Sequence, residues 1–483
     1  MSIGAALSNA LTGLNAASRG VELVSSNVAN AATPGYGRRE LELTTKMLGT
    51  TGAGVQVAGV NRVVDQALLN DRRIAGASAA GAAVTADFYA DLESTLGTPD
   101  IEGSVSARIA ALDTALLEAA SAPNSDARLA SVLDAAQGLA QQINSASDKI
   151  QAARQGAEQA IGSDVEQLND ALSHVVTMNN QIRSETAAGH DASALMDQRQ
   201  QLIDQISEIV PIREISRDYN QVALFTTGGA ALVDGQAASF GFDAVSTITA
   251  DMTQASGALS GLTLNGKPVA TDGNMIAGGT LAAHFALRDE RAVTAQAQLD
   301  GLARDLISRF ADPAVDPTLA IGDAGLFTDN GAALDPADEA GLAGRLAVND
   351  AVDPAEGGAL WRLRDGLNAT TPGATGYSTL LNALSDALGE RHTAASGGLS
   401  AAALDLSGLA ADLLSRVGAG RQAAEGAASY AAARSDALQT LELEGGVDTD
   451  AEMQKLLILE QAYGANAKVI QTIGGLLDQL LQL

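Results

Sequence analysis

The sequence predicts a mainly α protein: a long helical bundle with paired N- and C-terminal assembly helices and a small inserted β domain. Three observations carry this expectation. Only 3% of the 483 residues are aromatic although 46% are hydrophobic, so Ala, Leu and Val must fill the interior, as in long, closely packed helices. Apolar residues recur at heptad spacing near both ends of the chain. Between about 211 and 274 that period gives way to short alternating runs divided by Gly-rich turns. A chain of this length exceeds one core, so about two to four domains are expected.

From Ala5 to Asn30, Leu7, Leu11, Leu14, Val21 and Val28 form a stripe that Ser18 and Ser25 complete, and Ala10, Ala17 and Val24 widen it. Gly13 and Gly20 each cost about 1 kcal/mol relative to Ala inside a helix, so this helix needs a partner. Thr33-Pro34-Gly35 ends it, because Pro34 restricts its predecessor and Gly35 permits a turn. An extended segment with Gly52 and Gly54 follows, from about Leu41 to Val60.

Helical periodicity then dominates. One helix carries Val64, Leu68, Phe88 and Leu92; a second carries Val105, Ile109, Leu112 and Leu116; a very long third runs from about Ser125 through Ile182. Leu195 to Val210 reads as another amphipathic helix. Strands are expected around Ile212 and Ile215, around Val222, Leu224 and Thr226, and at Leu262 and Leu264 before the hairpin signal Asn265-Gly266. Helix resumes from Gly278 to about Phe310, and a long Ala-rich helix from about Leu399 to Leu443 leads to the Gly445-Gly446 break.

The last helix has three heptad columns: Leu456, Tyr463, Ile470 and Leu477; Leu459, Asn466, Ile473 and Leu480; and Ala462, Val469, Leu476 and Leu483. All are apolar except Asn466, which reads either as a register-setting residue or as a solvent-facing edge position. Thr449-Asp450-Ala451-Glu452 has capping-box spacing. The expected organisation is an assembly domain from 1–35 and 447–483 and a helical body from 36–210, 275–310 and 400–446. The β domain is expected at 211–274, and a mixed, loop-rich outer segment at 311–399.

The formal charge is −29 and excludes nucleic acid or an anionic membrane as the natural partner. Residues 1–60 carry net +1 and 445–483 net −3, leaving −27 on the middle: near-neutral ends for assembly and a solvated, self-repelling body. With no cysteine there is no disulfide framework or thiolate chemistry. No apolar run approaches spanning length, and the first basic residue is Arg19, so neither membrane insertion nor a cleaved secretory signal is expected.

Two strings resemble a known family. SSNVANAATPGYGRRE, Ser25 to Glu40, is similar to the N-terminal signature of bacterial flagellar axial proteins, with Val28 where Ile or Leu is more usual. EMQKLLILEQAYGANAKVIQT, Glu452 to Thr472, is similar to their C-terminal end. The long helical middle, Leu195-Met196-Asp197-Gln198-Arg199 and GGTLAAHFALRDE at Gly278 to Glu290 resemble the FlgK family of hook-associated proteins. The resemblance implies a secreted structural adaptor of the extracellular flagellum, at the hook–filament junction, exported through the flagellar secretion channel. Its implied partners are copies of itself, the hook protein, the next hook-associated protein and an export chaperone at the C-terminal segment. Two alternatives stay open: a hook or distal-rod subunit, which shares both end motifs, and a wall hydrolase carried on an axial scaffold.

No catalytic, cofactor or metal motif competes with this. Gly52-Ala53-Gly54 begins like a dinucleotide loop, but Val57 stands where a third Gly is needed. Asp448 to Glu452 begins like a calcium loop, but Met453 stands at the obligatory Gly. His174, His190, His284 and His392 share no ligand spacing. The expected site is therefore a self-assembly surface: Leu7, Leu11, Leu14, Val21, Val28, Leu456, Leu459, Tyr463, Asn466, Ile470, Ile473, Leu477 and Leu480, with a helix break at Pro34 and Gly35.

Overall fold

The computed structural model describes residues 3–48, 51–271, 273 and 275–482; the side chains of Leu48, Thr51 and Leu480 are also outside the described set. The chain opens with α1 (Ile3–Ala29), a hairpin of β1 (Arg38–Leu48) and β2 (Thr51–Val63), then α2 (Gln66–Leu96), α3 (Val105–Ser121), α4 (Asp126–Ala187) and α5 (Ser193–Ile209). Short strands follow: β3 (Ile212–Ser216), β4 (Val222–Thr226), β5 (Ala231–Asp234), β6 (Gln236–Ala237), β7 (Phe240–Gly241), β8 (Leu262–Leu264) and β9 (Lys267–Val269). Then come α6 (Gly279–Ala286), a π-helical turn at Leu287–Arg291 and α7 (Ala292–Phe310). The outer segment holds β10 (Phe327–Asp329), α8 (Leu342–Arg345), β11 (Leu346–Val348), α9 (Arg362–Asp365) and α10 (Thr379–Gly389). α11 (Leu406–Glu444) and α12 (Thr449–Leu481) close the chain.

The starts of several helices are set by local polar chemistry. Asp65 accepts from the amides of Ala67 and Leu68 at the head of α2, Ser104 from Ala107 for α3, and Asp405 from Gly408 for α11. At 62 residues α4 is about 93 Å long and is the beam on which the body is built. Leu129 to Ala157 of α4 pack with α2, α3, α7, the outer segment and the first half of α11. Ile161 to Val175 pack with α5, α6 and the strands from Ile212 to Leu262.

The strands form antiparallel sheets, one of order β3-β4-β5-β6 and one of order β7-β8-β9. Two buried arginines of the helical body hold them down. Arg154 on α4 donates to the carbonyls of Thr249, Ala250 and Met252, and Arg288 on the π-helical turn pairs with Glu158 at 2.5 Å and donates to the carbonyl of Ser260. Those carbonyls all lie in the segment between β7 and β8.

The extended segment expected from about Leu41 to Val60 is the β1–β2 hairpin, which runs from Arg38 to Val63. Arg38 pairs with Val63 and Leu43 with Val57, with bulges after Glu42 and Thr45. The alternation Leu41/Leu43 and Val55/Val57 supplies the apolar face that lies on α1. α11 starts at Leu406, later than expected, where Asp405 caps it.

Candidate assembly interface

α1 and α12 run antiparallel, and their contact is made by small residues. A side chain added at Gly13 would stand 2.8 Å from the Asn466 amide, and one at Gly20 2.8 Å from the Leu459 methyl groups. One further heptad along, the Asn27 amide donates to Glu452 at 3.0 Å. Three pairs, seven residues apart on each helix, mark the observed register. The two glycines that weaken α1 as an isolated helix are the bays into which α12 inserts its side chains. Ala10, Ala16, Ala17, Gly20, Val24 and Asn27 are the buried members of α1.

The large residues of the expected assembly surface are less buried than the small ones beside them. Leu7, Leu14, Val21 and Val28 are only half-buried, and Leu11 is 46% exposed. The widening residues Ala10, Ala17 and Val24 take the buried positions, because close helix approach selects small side chains. On α12, Ile473 is buried and Leu456, Leu459, Asn466 and Ile470 are half-buried, whereas Tyr463 and Leu477 are 43% and 40% exposed. Asn466 is neither core nor free: it faces Gly13 and donates to the Ala462 carbonyl at 2.9 Å. The Leu480 side chain and Leu483 lie outside the described residues.

The capping box is corrected. Asp448 caps α12, accepting from Asp450 and Ala451, and Glu452 turns away to the tertiary contact. Glu452 is 1% exposed and also accepts from Lys455 at 2.8 Å.

Below α1 the chain turns through a polar knot. Asn27, 1% exposed, uses both hands of its amide: it donates to the Arg39 carbonyl and to Glu452, and accepts from the Tyr36 hydroxyl at 2.9 Å and the Arg39 amide at 3.0 Å. Asn30 donates to the Ser26 carbonyl at the frayed end of α1, and Gly35 takes a left-handed φ of 78°. Pro34 and Gly35 thus sit in the turn, with their carbonyls held by Gln201 and Arg62.

Asp197 ties this knot to the body. Its carboxylate accepts from the Gly37 amide at 3.0 Å, Arg39 at 2.9 Å and Arg62 at 2.7 Å, and Arg62 also reaches Gln200. Two residues on, buried Arg199 donates to Asn179 and the Asn220 carbonyl, and its desolvation lowers its pKa to about 10. The Leu195–Arg199 motif is therefore a two-sided bracket, with Asp197 gripping the hairpin base and Arg199 gripping α4 and the β3–β4 turn. Sequence reasoning singled out the motif but neither its partners Arg39 and Arg62 nor the Asn27–Glu452 pair. The S-x-N and P-G-Y-x-R-R strings carried the signal, yet pairing across more than 400 residues has no local pattern.

Family models match three stretches of the chain. A model described as the flagellar hook-associated protein FlgK helical domain matches residues 89–313, from the end of α2 to just past α7. Over these residues the chain is similar to the FlgK family. Its α1 and turn match a flagellar basal body rod model over residues 7–36, and α12 matches the rod FlgEFG C-terminal model over 444–483.

Among relatives named flagellar hook-associated protein 1, that of Salmonella typhimurium (strain LT2) is 29% identical over 239 residues, 48% of this chain and 43% of the relative. The Escherichia coli (strain K12) protein is 26% identical over the same shares, so the match spans less than half of either relative. The Bacillus subtilis (strain 168) protein is 24% identical over 98% of this chain and 97% of its own length. A solved structure titled as the flagellar hook junction protein FlgK from Burkholderia pseudomallei overlaps 54% of this chain and 47% of its own, at 20% identity and a TM-score of 0.44.

Proposed function

We propose that this chain is a structural subunit of the hook–filament junction of the bacterial flagellum, and that α1 and α12 are its assembly elements. The observation that carries the reading is the exposed apolar surface of α12. Leu457, Ile458, Tyr463, Val469, Leu476 and Leu477 are each 40% exposed or more, although Leu459 and Asn466 of the same helix face α1. An apolar surface of that length on a near-neutral helix is suited to burial against neighbouring copies. The strongly acidic body stays in solvent.

The partners are copies of itself, the hook protein on one side, the next hook-associated protein on the other, and before export a chaperone covering the C-terminal segment. The protein is secreted through the flagellar export channel. No helix among the described residues is long and apolar enough to cross a membrane. The work asked of the chain is packing: terminal helices weak in isolation order fully when they meet subunits already in place. Electron microscopy of a deletion strain tests this. Bare hooks and filaments shed into the medium are expected; a normal junction without this chain overturns the reading.

A further inference from the structure

We propose that Asn27 and Glu452 form a register key, which selects one of two closely matched alignments of α1 and α12. The seam repeats every seven residues on both helices, so it is smooth to translation. If α12 slid by one heptad, Gly13 would receive Ile473 in place of Asn466, and Gly20 would receive Asn466 in place of Leu459. Both bays would still be filled. The four residues between α11 and α12 are too short to permit a slide the other way, but a slide in this direction requires only that the first turns of α12 unwind.

What the slid alignment loses is polar. Asn27 would face Leu459 instead of Glu452, leaving a buried amide donor without its carboxylate. Glu452 would leave the buried site in which it accepts from Asn27. A seam of glycine bays gives closeness without uniqueness; a single buried polar pair gives the uniqueness. The alignment fixes where the exposed residues of α12 stand relative to Leu11 of α1, and a heptad slide displaces them by about 10 Å. The consequence for assembly rests on the junction reading above, whereas the key itself is a property of the single chain.

The chain has no cysteine, so introduced pairs report alignment directly in the full-length purified protein. Ala17 and Ala462 line the same cleft in the observed register, and Ala17 would meet Val469 after the slide. With Glu452 intact, Ala17→Cys with Ala462→Cys should form the intramolecular disulfide and Ala17→Cys with Val469→Cys should not. In Glu452→Leu the ratio of the two should shift by about tenfold or more toward the second pair. Glu452→Gln, which can still accept from Asn27, should keep the first.

Exclusive formation of the first pair in Glu452→Leu overturns the key, as does equal slippage in Glu452→Gln. Loss of both crosslinks overturns it too, because that would make the contact a simple clamp. Junction assembly is scored separately, in cells. Slippage in Glu452→Leu accompanied by normal junctions would leave the key standing and remove the assembly reading.

Discussion

Two antiparallel helix pairs join the first part of this chain to its last, and they differ in what lies behind them. α1/α12 and α2/α11 both approach through small residues. In the second pair Gly420 faces the Tyr89 ring and Gly418 faces Glu93, much as Gly13 and Gly20 face α12 in the first. Yet α2 sends Phe88, Leu92 and Leu96, and α11 sends Leu406, Leu409, Leu413 and Val417, into the largest buried cluster. Among the described residues, none of α1 or α12 belongs to a buried cluster.

Charge follows the same division. Arg73, fully buried, pairs with Asp204 and Glu214, and Arg72 joins Asp204 to Glu442, so α2 is locked to α5, β3 and α11 together. α1/α12 has the hairpin on one side and its polar knot at one end. One seam is thus a finished core, and the same construction at the chain's ends is left half-finished.

The contrast is broken most severely in the body. Leu112→Ala, at a fully buried position of the main cluster, should cost about 2–5 kcal/mol and lower the global melting midpoint measured by circular dichroism. A change under about 1 kcal/mol would mean that the body is not the stable unit. Asp197→Ala comes next. It leaves Arg39 and Arg62 without their carboxylate and should cost about 3 kcal/mol, concentrated at the joint. Hydrogen exchange should then accelerate across 38–63, with α4 unchanged; uniform acceleration would contradict a local bracket.

Gly20→Leu places a large side chain where Leu459 already sits, at a local cost of about 1–3 kcal/mol. Limited proteolysis should then remove both ends faster and leave the acidic core intact at its original midpoint. The smallest expected effect on the isolated chain is that of Ile470→Asp. Ile470 is half-buried and belongs to no cluster, so the midpoint should move by less than about 0.5 kcal/mol while hook tips imaged in the mutant lack filaments. A large drop in the midpoint would make this column a permanent core.

The same contrast explains what could be read in advance. The long helices, the Asn265-Gly266 hairpin and the break after α1 were legible because heptads, turn residues and Pro-Gly act locally. The phase of the α1 stripe was not: large residues suggest the contact face, whereas close approach hands it to Ala10, Gly13, Ala17 and Gly20. Asp448 displaced Thr449 as the cap because its carboxylate accepts from Asp450 and Ala451, and the Glu452 side chain goes to Asn27. The extended segment at 41–60 was legible too, whereas its reach from Arg38 to Val63 and the bulges after Glu42 and Thr45 were not. The bracket of Asp197 and Arg199 was visible as a motif and silent about its partners.

α4 has a mechanical consequence. A single helix of 62 residues runs through both main clusters without a break, so the outer segment at one end and the β3–β4 turn at the other share one stiff rod. Asn179, near the end of that rod, accepts from Arg199, two residues from the carboxylate that holds the hairpin base. A twist applied at the chain's ends therefore enters the body at the tip of a lever about 93 Å long. The body must answer it as a rigid piece, with joints at the turn between Asn30 and Gly37 and at the four residues between α11 and α12.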